Sequence, residues 1–83
     1  MGTREELVQL AIKKSVEHNI RLDTAEDIIK ETGDILGYYK SIRQQLMLTE
    51  LAGNLNNKYN KMGIDIVTDI MGEAVDIIKK GLG

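Results

Sequence analysis

Apolar side chains recur along the whole chain at steps of three and four, the spacing that puts them on one face of an α-helix. Leu7, Val8, Ala11, Ile12, Ser15 and Val16 form the first such series, with Gln9, Lys13, Lys14 and Glu17 on the opposite, polar side. Thr3 and Glu6 stand where a capping box would begin this helix, which the pattern places over residues 4–18. After the connector Ile20-Arg21-Leu22, Asp23 or Thr24 can cap a second start. From there Ala25, Ile28, Thr32, Ile35, Tyr39, Ile42 and Leu46 alternate three- and four-residue steps as a heptad-like seam. Leu48, Ala52, Leu55, Tyr59, Met62, Ile66 and Ile70 continue it in a second register.

The predicted elements are helices over about 4–18, 24–32, 34–62 and 65–80, and no stretch alternates like a strand. The fold class is all-α: three to four helices with a long central one, packed as an oligomeric bundle in a single domain spanning 1–83. Gly33, Gly53 and Gly63 are the candidate interruptions, and the asparagines between Gly53 and Gly63 weaken the helix further. The last helix is the clearest: Ile66, Val67, Ile70, Met71, Ala74, Ile77 and Ile78 line one face. Asp65 and Asp69 at its start and Lys79 and Lys80 at its end match the dipole, and Gly81 supplies a stop.

Size sharpens this picture. A globule of 83 residues has a radius of gyration near ~12 Å, whereas an unbroken helix from Asp34 to Met62 is roughly 43 Å long. Either Gly53 breaks the rod and gives a compact four-helix monomer, or another copy covers its seam. The continuous stripe from Leu48 to Ile70 favours the second. The expected oligomer interface is Ile28, Ile35, Tyr39, Ile42, Leu46, Leu55 and Tyr59.

Composition removes more functions than it suggests. The chain has no cysteine, which excludes disulfides, thiolate chemistry and cysteine-based zinc sites, and no proline, which suits helices. His18 is the only imidazole; Ser15 stands one turn before it with no third partner, so no catalytic set is indicated and the protein reads as a non-enzyme. No cofactor motif and no calcium loop is present, and Asp65, Asp69, Glu73 and Asp76 read as a solvated acidic face rather than metal ligands. Nothing resembles a secretion signal or a membrane span, which points to the cytoplasm.

Charge is uneven: residues 1–37 carry net −3, residues 38–63 net +3 and residues 64–83 net −2. The basic middle can pack between the acidic flanks, or present a small surface to nucleic acid. The second reading gains from an outline of helix-turn-helix over 24–45, with the turn at Gly33 and with Tyr38, Lys40, Ser41, Arg43 and Gln44 displayed toward DNA. Ile29 at the helix crossing and Asp34 after the turn oppose that outline.

Two functions therefore stand side by side. One is a self-associating helical interaction protein, serving as an assembly subunit, adaptor or inhibitor of a larger protein partner. The alternative is a dimeric helix-turn-helix regulator of DNA.

Overall fold

The computed structural model describes residues 2–82, and among these every regular element is helical: α1 (Thr3–Glu17), α2 (Leu22–Tyr38), α3 (Ser41–Lys58) and α4 (Ile64–Leu82). No helix is long and apolar enough to cross a membrane among the described residues.

The central rod expected over 34–62 does not form. α2 runs through Gly33 to Tyr38, and the chain breaks at Tyr39 and Lys40, both extended (φ −110° and −134°). α3 then runs through Gly53 without interruption. The breaker is thus not a glycine. Tyr38 and Tyr39 are mediocre helix formers that suit extended backbone, and their rings pack edge to face at 5.0 Å across the corner. Glycines stay inside helices where they cost little: a Cβ at Gly33 would sit in ordinary contact with Ile78, and one at Gly53 would meet open space.

The other two connections were better signposted. α1 ends on Asn19 in the left-handed region (φ 54°), with the Asn19 and Ile20 amides donating to the Val16 and Ser15 carbonyls at 3.3 and 3.0 Å. That pair of bonds is the Schellman arrangement, which satisfies the last carbonyls of a helix. α3 ends the same way on Asn60 (φ 58°), with Lys61 N donating to Asn56 O at 2.7 Å. Gly63 follows at φ 130°, a conformation only glycine adopts at low cost, and its amide donates to Asn56 Oδ1 at 2.9 Å. Helix starts differ in detail from expectation. Thr3 lies inside α1 and Gly2 occupies the cap position, so no capping box forms; Arg21 rather than Asp23 or Thr24 precedes α2. Gly81 lies within α4 instead of ending it, facing Thr3.

α2 and α4 pack on each other at the centre; α1 and α3 flank this pair, each touching both and neither touching the other. The radius of gyration, 12.0 Å, is that of a single-chain globule of this length, and the molecule is a slab of 31 × 30 × 16 Å. Its core joins Leu10 and Ala11, Ala25, Ile28 and Ile29, Leu51, Ala52 and Leu55, and Val67, Ile70, Met71 and Ala74. Thr32 is buried among them because its hydroxyl donates to the Ile28 carbonyl at 2.8 Å.

Candidate functional site

The break at Tyr39-Lys40 resets the helical phase, and this splits the expected seam. Ile28 and Leu55 are fully buried in the single-chain core, where a second copy has no access, and Ile35 and Tyr59 pack against that core half-buried. Tyr39 is half-buried at the corner. Only Ile42 and Leu46 remain available, 77% and 65% exposed. Had α2 continued through residue 46 in the same phase, both would have pointed inward with Ile35. Two extended residues instead turn Leu48, Leu51 and Leu55 to the core and leave Ile42 and Leu46 on the outer side of α3.

The side chains expected to face DNA gather at the same corner. Tyr38, Lys40, Ser41 and Arg43 are exposed, and Gln44 is half-buried, its amide donating to the Tyr39 carbonyl at 3.0 Å. α2 is continuous across Gly33, so the turn that the helix-turn-helix outline requires there is absent, and the two helices instead meet six residues later. The basic middle segment is partly engaged within the chain. Lys58 Nζ lies 2.7 Å from Asp27 Oδ2 and 3.7 Å from Glu31, tying the end of α3 to α2. The Tyr59 hydroxyl donates to the same Asp27 carboxylate, and Lys58 lies 5.3 Å from the centre of the Tyr59 ring. Burial opposes ionisation of Asp27, yet the bonds from Lys58 and Tyr59 outweigh it and hold the carboxyl below its ordinary value.

A feature that periodicity alone did not suggest lies between α1 and α4. Lys14, grouped with the polar side of α1, is 2% exposed. Its ammonium has three donors, and three carboxylates receive them: Asp69 at 2.7 Å, Glu73 at 2.5 Å and Glu17 at 3.2 Å. His18 Nε2 lies 2.7 Å from the same Asp69 oxygen. Burial by itself would lower the Lys14 pKa, but the bonds to Asp69, Glu73 and Glu17 prevail and hold it above the usual lysine range. Lys14, with His18, in turn holds the Asp69 carboxyl below the ordinary carboxylate value. The acidic row on α4 is therefore not uniformly solvated, since Asp69 and Glu73 are engaged by Lys14. The sequence signal was faint but present: Leu7, Ala11, Lys14 and His18 follow steps of four, three and four, so Lys14 falls on the inner stripe, and Asp69 and Glu73 stand one helical turn apart.

Chemically this cluster is an ion-pair network with a buried ammonium and partly exposed carboxylates. Glu17, His18 and Asp69 bring ligand-type atoms within 4.8 Å of one another, but the Lys14 ammonium already holds the anionic centre and would repel a divalent ion. Ser15 and His18 have separate partners: the Ser15 hydroxyl donates to the Ile12 carbonyl at 2.8 Å, and the His18 imidazole engages Asp69.

These pairs make stability pH-dependent. Asp69 titrates lower in the folded than in the unfolded chain, so its contribution is complete above its ordinary value of 3.8 and is lost as pH falls through the depressed folded value. Lys14 is shifted upward, so its contribution is complete below 10.5 and is lost as pH rises beyond that. Denaturant unfolding across pH should give a plateau with an acid decline beginning near pH 4 and an alkaline decline above 10.5. Asp69→Asn should reduce the acid slope to what Asp27 contributes.

Part of the exposed surface is apolar. Val8, Ile12 and Val16 run along an exposed side of α1, and Tyr38, Ile42 and Leu46 occupy the outer side of the α2–α3 corner. A shallow groove of about 350 Å³ opens between α3 and α4, floored by Leu48, Ala52, Ile64, Met71 and Val75. No protein-family model, curated protein or solved structure matches the chain.

Proposed function

We propose that this chain is a small non-enzymatic interaction protein that self-associates and acts as an assembly subunit, adaptor or inhibitor of a larger protein partner. The observation behind this reading is the pair Ile42 and Leu46, one turn apart and largely exposed on α3, while the same helix supplies Leu51, Ala52 and Leu55 to the core. A helix apolar on both sides has one side satisfied by its own chain and the other left for a partner. In the network around Lys14, by contrast, the ammonium is engaged by three carboxylates of its own chain.

Light scattering over a concentration series tests the reading directly. The apparent mass should rise above the 9.3 kDa of one chain as concentration increases toward roughly millimolar, the range that suits small, weak interfaces. Ile42→Asp should hold the mass at one chain without lowering the thermal midpoint of the dilute protein, because it places a charge in an intermolecular contact and not in the core. A mass of one chain at every concentration overturns self-association.

A further inference from the structure

The outer side of α3 carries more than two exposed aliphatic residues. Ile42, Leu46, Thr49 and Gly53 follow steps of four, three and four, which at about 100° per residue places them within a strip opposite Leu48, Leu51 and Leu55. All four are exposed. Two are large and two small, in the order large, large, small, small. Arg43 and Glu50, seven residues apart, lie on one and the same flank of this strip; both are exposed, and neither has an ion-pair partner among the described residues.

Resting on the self-association reading, we propose that the partner is a second copy of this chain, docked α3 against α3 in antiparallel fashion about a twofold axis. The charge pattern argues for this arrangement. In an antiparallel helix pair, flanks on the same side of each strip meet each other, so Arg43 faces the partner's Glu50 and Glu50 faces the partner's Arg43. Twofold symmetry makes both contacts at once. The packing agrees with the charges. The register that sets Leu46 opposite the partner's Thr49 also sets Ile42 opposite the partner's Gly53, so each large side chain meets a small one. In that register Arg43 and the partner's Glu50 are offset by two residues, about 3 Å along the axis, within reach of an arginine side chain. A parallel pairing does neither: it stacks Gly53 on the partner's Gly53, sets Glu50 against the uncharged Gln45 of the other copy, and leaves Arg43 without an opposite charge. Among the described residues α3 packs on α2 and α4 alone, which leaves this side of the helix uncovered.

Charge exchange tests the geometry. Arg43→Glu puts acidic groups against each other at both contacts, and Glu50→Arg does the same with basic ones, so each single variant should self-associate at least about tenfold more weakly than the parent. In an equimolar mixture of the two variants each copy supplies the opposite charge at both contacts, and the mixed dimer should form with affinity near that of the parent. The double variant Arg43→Glu/Glu50→Arg should likewise dimerise with itself. Analytical ultracentrifugation of parent, single variants, mixture and double variant at low ionic strength reads all of these, and recovery on mixing shows that the single variants are folded. If the parent associates but the single variants match it, or mixing restores nothing, the antiparallel α3 pairing is overturned while self-association through another face stands. If the parent is a monomer throughout, both fall together.

Discussion

Ile28→Ala is expected to lower the unfolding free energy by about 3 kcal/mol, within the roughly 2–5 kcal/mol that removing a buried aliphatic side chain costs. Ile28 is completely buried on α2, among core residues drawn from all four helices. Truncation removes transfer free energy and leaves a cavity that the α2–α4 packing can close only in part. For a domain of this size, 1 kcal/mol corresponds to about 4–8 °C in the thermal midpoint, so the midpoint should fall by roughly 12–24 °C. The fall should be the same at every protein concentration, because the neighbours of Ile28 all belong to its own chain. This separates Ile28 from Ile42: a residue shared between copies shows a midpoint that depends on concentration. A destabilisation that shrank as protein was concentrated would place Ile28 at an interface and contradict the single-chain core.

Lys14→Met is expected to rank next, at about 2–3 kcal/mol. The replacement keeps a long flexible apolar stem but withdraws the ammonium from Asp69, Glu73 and Glu17. Breaking a fully buried ion pair costs about 3–5 kcal/mol because a charge is left without a partner. Here the three carboxylates are 35% to 45% exposed, so water takes over part of their solvation and the cost is smaller. Asp69 and Glu73, no longer joined by a cation, then repel across one helical turn, and the Asp69 carboxyl should titrate higher than in the parent. Urea unfolding at neutral pH reads the first effect and carboxyl-carbon NMR titration of Asp69 the second. A variant as stable as the parent would mean that the network only compensates for its own desolvation. Asp69→Asn should cost less than Lys14→Met, since Glu73 and Glu17 still receive the ammonium.

Helix identity was legible because the steps of three and four are a property of the local chain. The inner face of α4, the Asn-rich end of α3 with Gly63 beyond it, and the break after His18 could all be read without a fold; the face of α1 was misplaced, since Val8, Ile12 and Val16 are exposed while Leu10 and Lys14 are buried. Boundaries inside the second half of α2 were not legible, because alternation of three and four cannot distinguish one helix from two helices joined by a short extended link. Thr32, Ile35, Tyr39, Ile42 and Leu46 keep the same spacing on both sides of Tyr39-Lys40, yet the link rotates the second set outward. For the same reason the residues read as one continuous seam part company in the fold. Ile42 and Leu46 are exposed, while Ile28 and Leu55 belong to the core. Gly33 and Gly53 misled because glycine only raises the cost of a helix by about 1 kcal/mol, a cost the packing of α2 and α3 overcomes.

By itself, then, the sequence determined an all-helical domain without strands or membrane-spanning helices, its terminal helices and two of its three connections. Each of these depends on residues within a few positions of one another. The tertiary structure alone decided which apolar residues share one core, that Lys14 crosses from α1 to answer Asp69 and Glu73 on α4, and which side of α3 is left over. Those outcomes depend on rotation of one helix against another, and that rotation is set by burying the greatest apolar area together while leaving no buried charge unpaired.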